Sequence, residues 1–145
     1  MRASVNRKMA TRRIDVFFYG LFMDAELLRI KGASPQNIRR AGVPGFGLRI
    51  GERATLLRDP DACAYGVLME LSHEEIEQLY SERSVRAYRP EAVLAQLDDG
   101  SRLPALCFNL IDPPLSSEHN SEYATKLREL ARRLELPTDY VEAIQ

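Results

Sequence analysis

Short apolar segments separated by turn residues run through most of this chain, and this alternation restricts its fold more than any other feature. The predicted strands span Ile14–Tyr19, Asn37–Val43, Phe46–Ile50, Ala54–Leu57, Ala62–Leu71, Ala92–Leu97 and Leu103–Leu110. Pro44-Gly45 and Asp59-Pro60-Asp61 interrupt the series, and Asp99-Gly100 is a strong hairpin signal. Such a succession of strands, joined mostly by turns, favours a closed or strongly curved sheet over a doubly wound one.

Helical patterns are few and short. Predicted helices span Asp24–Lys31, Glu74–Ser81 and Ser121–Leu134, and Asp139–Ile144 can add one more turn. The second of them follows Ser72-His73-Glu74-Glu75, which has the S-x-x-E form of a capping box. We therefore predict an α+β fold, a small mixed β-barrel with two or three helices on its outside.

The length of 145 residues fits one domain, which we place at residues 14–145. Residues 1–13 carry five basic and no acidic side chains, and we interpret them as a flexible basic leader. The leader lacks the apolar core of a secretory signal, and Met9 is an alternative start. Nothing in the sequence decides between a monomer and a homodimer.

The charge and the motifs exclude several classes of function. The formal net charge is −1, which gives no reason to expect nucleic acid as a partner, and no apolar stretch is long enough to cross a membrane. Cys63 and Cys107 lie in strand-like runs, as expected for reduced thiols in a cytoplasmic protein. No phosphate-binding glycine motif or C-x-x-C is present, and His73 and His119 lack neighbouring ligands, so we predict no metal and no cofactor.

The stretch Val16–Met23 contains the first candidate site. Its apolar run stops at Tyr19-Gly20, and a helical pattern begins at Asp24. Glycine lets a chain leave a strand sharply and bring its backbone close to a ligand. A loop of this kind can present backbone N–H groups to an anionic or carbonyl group. An ordinary strand-to-helix turn is the alternative interpretation of the same residues.

Glu82 is the second candidate, and it stands out among the glutamates that crowd the middle of the chain. It lies just past a predicted helix, in an irregular segment bordered by Tyr80 and Tyr88. Loops on a rigid scaffold often carry catalytic groups, and a carboxylate among aromatic rings suits general acid or base work. A solvated surface position remains the alternative. Tyr123 and Arg89 are further pocket candidates, which structural roles would explain equally well.

Three more segments follow the Tyr-Gly loop in an ordered series. They are Ala64-Tyr65-Gly66-Val67-Leu68, Tyr88-Arg89-Pro90-Glu91-Ala92-Val93 and Leu136-Pro137-Thr138-Asp139-Tyr140. Together with Tyr19-Gly20-Leu21-Phe22-Met23, they resemble the gamma-glutamylcyclotransferase-like family, whose hallmark is an apolar strand ending in a Tyr-Gly-Ser/Thr-x-Met loop. The resemblance covers residues 14–144, and its specificity comes from the order of the motifs.

The resemblance implies a small barrel whose cavity is floored by the Tyr-Gly loop, with Glu82 as the acid/base. It implies an acyltransferase or lyase of the kind used in glutathione metabolism, which cyclises a gamma-glutamyl amine or amino acid to 5-oxoproline without a cofactor. The substrate-binding residues that it implies are Tyr19, Gly20, Leu21, Phe22, Met23 and Tyr88.

Two positions depart from the family pattern. Leu21 stands where the family has Ser or Thr, and Phe22 stands where some members have Asn. We therefore expect a more apolar pocket that keeps its backbone donors. A non-catalytic small-molecule-binding protein of the same fold is the alternative function, and a different acyl or amine transfer is a third, because fold alone does not fix function.

Overall fold

A closed five-stranded β-barrel forms the centre of the molecule, as seen in a computed structural model that describes residues 12–145. Its strands are β1 (Arg13–Phe18), β2 (Gln36–Ile50), β3 (Ala54–Ser72), β4 (Tyr88–Leu97) and β5 (Arg102–Leu110). The order around the barrel is β1-β3-β2-β4-β5. Only the β1–β5 pair is parallel, so the barrel is mixed, and the predicted fold class is confirmed.

Within residues 12–145, four short helices surround the barrel, where two or three were predicted. They are α1 (Ala25–Ile30), α2 (His73–Leu79), α3 (Ser121–Arg133) and α4 (Thr138–Glu142), and a 3-10 turn at Leu21–Met23 precedes α1. The fourth helix is the extra turn anticipated after Pro137. The capping box at Ser72 is present, because the Ser72 hydroxyl accepts from the Glu75 amide at 3.1 Å and Glu75 accepts from the Ser72 amide at 2.8 Å.

Two predicted strand ends are wrong, because the strands continue through them. Pro44-Gly45 lies inside β2, and Asp59-Pro60-Asp61 lies inside β3. The register shifts there from Pro44 opposite Cys63 to Phe46 opposite Arg58, which marks a β-bulge. A bulge leaves some residues unpaired without ending the strand, so turn residues alone did not separate these elements.

Most of the predicted leader lies outside the described residues. Its last member, Arg13, opens β1 and is held from three sides. The Arg13 guanidinium donates to the carbonyls of Ser34 and Glu70 and forms an ion pair with Glu75 at 3.3 Å. These contacts join β1, β3 and the start of α2.

Gly66 lets β1 and β3 approach closely just before the Tyr-Gly loop. A Cβ added at Gly66 would overlap the carbonyl oxygen of Phe18 and lie 3.1 Å from the Phe17 ring. A glycine inside an apolar strand usually marks a bulge or a close backbone approach, and Gly66 is an example of the second. It fixes the end of β1, from which the chain enters the loop.

Candidate functional site

A cavity of about 310 Å³ opens beneath the Tyr-Gly loop and is walled mainly by aromatic rings. The loop, α1, the turn between β2 and β3, the segment after α2, β4, β5 and α3 all contribute to it. Its lining consists of Phe17, Phe18, Tyr19, Gly20, Leu21, Phe22, Leu27, Glu52, Arg53, Ala54, Tyr80, Ser84, Val85, Tyr88, Phe108 and Tyr123. This volume and apolar lining fit a small-molecule site.

The aromatic wall is held together by ring contacts centred on Tyr80. The Tyr80 ring stacks on Phe108 with centroids 3.9 Å apart, and Phe22 meets it edge-on at 5.9 Å. Tyr88 lies 6.4 Å from Tyr80 in a tilted arrangement. Such contacts add to the gain from burial, so the wall is rigid rather than a loose apolar patch.

Four tyrosine hydroxyls reach this cavity, and they fall into two pairs. Tyr19 donates to the Phe108 carbonyl at 2.6 Å, and Tyr88 donates to the Ala54 carbonyl at 2.5 Å. Within residues 12–145, the hydroxyls of Tyr80 and Tyr123 donate to no protein acceptor. These two are therefore available to donate to a bound molecule, whereas the first two hold the loop and the β2–β3 turn in place.

Burial keeps these phenols protonated at neutral pH. It raises the pKa of Tyr88 to about 12, and it raises the pKa of Tyr19 and Tyr80 well above the ordinary value of 10.0. Burial also raises the pKa of Tyr123, and contact with the Leu21 backbone offsets part of that rise. The hydroxyls therefore act as hydrogen-bond donors and not as bases near pH 7.

The raised tyrosine pKa values predict a loss of stability at alkaline pH. A folded pKa above the unfolded value of 10.0 means that the unfolded chain loses these protons first. The free energy of unfolding should therefore be unaffected by these groups below pH 10 and fall as the pH rises from 10 towards 12. Urea unfolding at several pH values measures the free energy of unfolding. The absorbance of phenolate, followed in parallel, reports the ionisation of the tyrosines. Full ionisation of all tyrosines near pH 10 in the folded protein would contradict this prediction.

The Tyr-Gly loop is shaped by the 3-10 turn that follows it. The amides of Met23 and Asp24 donate to the carbonyls of Gly20 and Leu21 at 2.9 and 3.2 Å. Within the described chain, the amides of Leu21 and Phe22 donate to no backbone carbonyl. A helix start leaves such amides without partners in the helix. The Leu21 amide contacts the Tyr123 hydroxyl instead, and both Leu21 and Phe22 line the cavity.

Tyr123 leaves little room for a side chain at position 20. A Cβ at Gly20 would lie 2.6 Å from the Tyr123 hydroxyl oxygen. The backbone at Gly20 has φ −111°, so the requirement is for space and not for an unusual conformation. Asn120 caps α3, because its side chain accepts from the Tyr123 amide at 3.1 Å. This bond holds the start of the helix from which the Tyr123 side chain projects.

Two adjacent charged residues, Glu52 and Arg53, line the mouth of the cavity. They lie in the tight turn between β2 and β3, where the Gly51 amide donates to the Arg53 carbonyl at 3.1 Å. Asn120 donates from its side chain to the Gly51 carbonyl at 3.2 Å. A Cβ at Gly51 would overlap Pro114, so this turn is tightly packed.

Glu82 lies outside the cavity lining, although its neighbours Tyr80 and Ser84 belong to it. Its carboxylate forms an ion pair with Lys31, with Nζ and Oε1 2.7 Å apart, and 41% of its side chain is exposed. The Glu82 carbonyl accepts from the amides of Val85 and Arg86, which makes a turn at the rim.

The structure brings most of the candidate residues together. Tyr19, Gly20, Leu21, Phe22 and Tyr88 all line one cavity. Met23 does not, because its side chain is buried in the core with 2% exposure. Their roles towards a ligand remain predictions.

Of the two further pocket candidates, Tyr123 lines the cavity, whereas Arg89 does not. Several other lining residues were not among the candidates. Glu52 and Arg53 were not singled out, because charged residues in a turn between two strands are usually solvated. Phe108 was predicted only as part of a strand. No local signal marks these residues, because the barrel brings them to the loop from distant parts of the chain.

Residues 12–145 were also compared with the patterns of a membrane-spanning helix and of a metal site. No helix in this part of the chain is both long and apolar enough to span a membrane. No three or more His, Cys, Asp or Glu side chains are arranged there to hold a metal ion. Cys63 and Cys107 are free thiols, and burial raises the pKa of Cys107 to about 12, which makes it an unreactive core residue.

Comparison with solved structures finds the same fold in proteins of low sequence identity. A protein named gamma-glutamyl cyclotransferase has a TM-score of 0.77 at 17% identity, with 92% of this chain and 89% of that chain covered. The human uncharacterized protein loc79017 gives 0.76 at 17% identity over 92% and 88%. YkqA from Bacillus subtilis gives 0.73 at 23% identity over 94% of this chain and 54% of its own.

Sequence comparison gives the family. No curated protein sequence matches the chain significantly. The family model described as gamma-glutamyl cyclotransferase, AIG2-like, matches residues 16–127, which include nearly all of the barrel and the whole cavity wall up to Tyr123. The chain therefore belongs to the gamma-glutamyl cyclotransferase, AIG2-like family.

Proposed function

We propose that the chain cyclises a gamma-glutamyl amine or gamma-glutamyl amino acid to 5-oxoproline and releases the attached amine. The observation that carries this proposal is the cavity beneath the Tyr-Gly loop, in a member of this family, with Glu82 in the turn at its rim. One of the similar structures is named gamma-glutamyl cyclotransferase, which agrees with this choice.

The proposed reaction needs proton transfer and a place for developing negative charge. Glu82 takes a proton from the substrate's α-ammonium, and the freed nitrogen attacks the γ-carbonyl carbon. The carbonyl oxygen becomes an oxyanion, for which the amides of Leu21 and Phe22 and the hydroxyl of Tyr123 are the candidate donors. Collapse breaks the bond to the leaving amine, which receives the proton from Glu82. The ring nitrogen then gives its second proton to the regenerated Glu82 carboxylate, which passes it to solvent and leaves the neutral amide of 5-oxoproline.

The attack joins two parts of one molecule, so holding the substrate folded supplies much of the rate. A rigid aromatic wall suits this task, because the rings of Tyr80, Phe108 and Phe22 fix the shape of the cavity. Leu21 and Phe22 also make it apolar. We therefore propose that the leaving amine carries an apolar group, as benzylamine does. Gamma-glutamyl compounds whose leaving group is glycine or another amino acid, with its charged carboxylate, should be poorer substrates.

The experiment is a release assay with the full chain. Gamma-glutamyl-benzylamide and gamma-glutamyl-glycine are incubated with the protein, and 5-oxoproline and free amine are measured by mass spectrometry. Equimolar 5-oxoproline and amine, formed faster from the benzylamide, is the expected result. Hydrolysis to glutamate, or no product from any gamma-glutamyl compound, would exclude the proposed reaction.

Lys31 gives a prediction about substrate binding. Its ammonium lies 2.7 Å from the Glu82 carboxylate, which is the kind of contact that the substrate's α-ammonium would make. Replacing Lys31 with methionine removes the competing cation and keeps an unbranched side chain. Because exposed ion pairs contribute about 0–1 kcal/mol, KM should fall by up to about fivefold while kcat changes little. Steady-state kinetics on the benzylamide substrate test this, and an increase in KM would show that Lys31 assists binding instead.

The same ion pair favours a second candidate function. If Lys31 holds Glu82 permanently, the cavity binds a small amide without converting it. In that case the benzylamide would bind with a measurable affinity, no 5-oxoproline would appear, and Lys31→Met would not create turnover. Isothermal titration alongside the release assay separates the two functions.

A further inference from the structure

We infer that Arg53 is the anchor for the α-carboxylate of an amino-acid ligand at the mouth of the aromatic cavity. The inference rests on the proposed function for the class of ligand, but it concerns binding and does not require turnover. Within residues 12–145, Arg53 is the only arginine or lysine that lines this cavity, so it is the side-chain cation that a bound anion can contact there.

The guanidinium is not engaged by the protein. No ion pair or side-chain hydrogen bond of Arg53 occurs within residues 12–145, although Asp112 and Glu118 line the adjoining cleft that Arg53 also borders. Arg53 is nevertheless half-buried. Arg53 is therefore a partly desolvated cation without an ion-pair partner among these residues, and it can bind the anionic group of a ligand.

The positive charge of Arg53 acts on Tyr88, which lines the same cavity. It lowers the pKa of the Tyr88 phenol against the rise that burial causes. Tyr88 in turn donates to the Ala54 carbonyl, the residue that follows Arg53. The guanidinium and the aromatic rings therefore line one cavity, and Arg53 also borders the adjoining cleft.

The turn that carries Arg53 is held in place before any ligand arrives. The Gly51 amide is bonded to the Arg53 carbonyl, and Asn120 holds the Gly51 carbonyl. Asn120 also caps α3, which carries Tyr123 on the opposite wall. One asparagine thus joins the turn that carries Arg53 to the start of the helix that carries Tyr123, so the backbone on both sides of the cavity is in place before a ligand binds.

Glu52, beside Arg53, narrows the class of ligand. Its carboxylate is exposed and is not ion-paired within the described residues, so it disfavours simple dianions at this mouth. A single carboxylate, such as the one on the α-carbon of an amino acid, suits the one cation in this turn. With the carboxylate at Arg53, the γ-amide extends into the cavity towards Leu21 and Tyr123.

A matched pair of probes tests the inference. Gamma-glutamyl-benzylamide and 4-amino-N-benzylbutanamide differ only in the α-carboxylate. We expect the full chain to bind the first about 10- to 100-fold more tightly, the range that a hydrogen bond to a charged group contributes. Arg53→Met should abolish this preference and leave affinity for the second probe unchanged. Isothermal titration measures the affinities, and thermal unfolding checks that each variant is folded.

Two control variants sharpen the result. Arg83→Met removes an exposed cation near the rim that is not part of the lining, and it should retain the preference. Glu52→Gln should retain or increase it, because the neighbouring negative charge is gone. An equal preference in wild type and Arg53→Met, or no binding of either probe, would overturn the inference. Analysis of the same samples for 5-oxoproline reports separately on the proposed reaction, so each idea can fail alone.

Discussion

Replacing Glu82 with glutamine should lower kcat for 5-oxoproline release by about 10²- to 10⁴-fold, the usual contribution of a positioned acid or base. Glutamine keeps the size of the side chain but cannot accept the proton of the α-ammonium. KM should change much less, because the aromatic wall and Arg53 remain. The variant should stay folded, since the lost contact is a half-exposed ion pair with Lys31. Initial rates with gamma-glutamyl-benzylamide measure the effect.

Glu77→Gln is the matched control for this substitution. Glu77 is an exposed carboxylate on α2, a short way before Glu82 in the chain, and its partner His73 is exposed as well. Its replacement should leave the rate within about twofold of wild type, because Glu77 belongs neither to the cavity lining nor to the turn that holds Glu82. If Glu82→Gln also kept full activity, Glu82 would not be the acid/base. Glu52, the acidic residue in the cavity lining, would then be the group to replace next.

The substitution Gly66→Ala should produce the largest loss of stability, about 3 kcal/mol or more. The new methyl group would overlap the Phe18 carbonyl, which is backbone and cannot rotate away. Overpacking in a core usually costs about 1–3 kcal/mol, and a forced shift of a strand exceeds that range. Because β1 leads into the Tyr-Gly loop, the same shift should distort the cavity and weaken ligand binding. Urea unfolding monitored by circular dichroism gives the free energy.

Gly47→Ala is the control for this effect. Gly47 lies in β2, and a Cβ there would make an ordinary 3.4 Å contact with the Ala62 methyl group. The change should alter the free energy of unfolding by less than about 1 kcal/mol, as for a glycine whose neighbours have room. Similar losses for the two alanine variants would mean that general strand effects, and not the β1–β3 approach, dominate at Gly66.

The barrel and its entry loop could be predicted from the sequence because their signals are local. The end of a strand at Tyr19-Gly20 and the hairpin at Asp99-Gly100 are each indicated by a few adjacent residues. The close approach at Gly66 was also predictable, because a glycine inside an apolar strand usually marks a bulge or a close backbone contact. The continuity of β2 and β3 through Pro44-Gly45 and Asp59-Pro60-Asp61 was not, since it depends on how the two strands pair.

The cavity itself could be predicted only in part. Its loop and Tyr88 were found from motifs, whereas Phe108 lies 89 residues from Tyr19 along the chain and meets it only when the barrel closes. Tyr123 reaches the cavity from a still later helix. The unpaired state of Arg53 and the pairing of Glu82 with Lys31 depend on which neighbours fold around them. Neither can be deduced from residue type or spacing.

A crystal structure of the Glu82→Gln variant with gamma-glutamyl-benzylamide would show whether the aromatic cavity holds the substrate. We expect the ligand there, with its carboxylate on Arg53, its γ-carbonyl towards the Leu21 and Phe22 amides, and its ring against Tyr80. An empty cavity, with the ligand instead in the separate cleft beside Arg40 and Glu135, would contradict it.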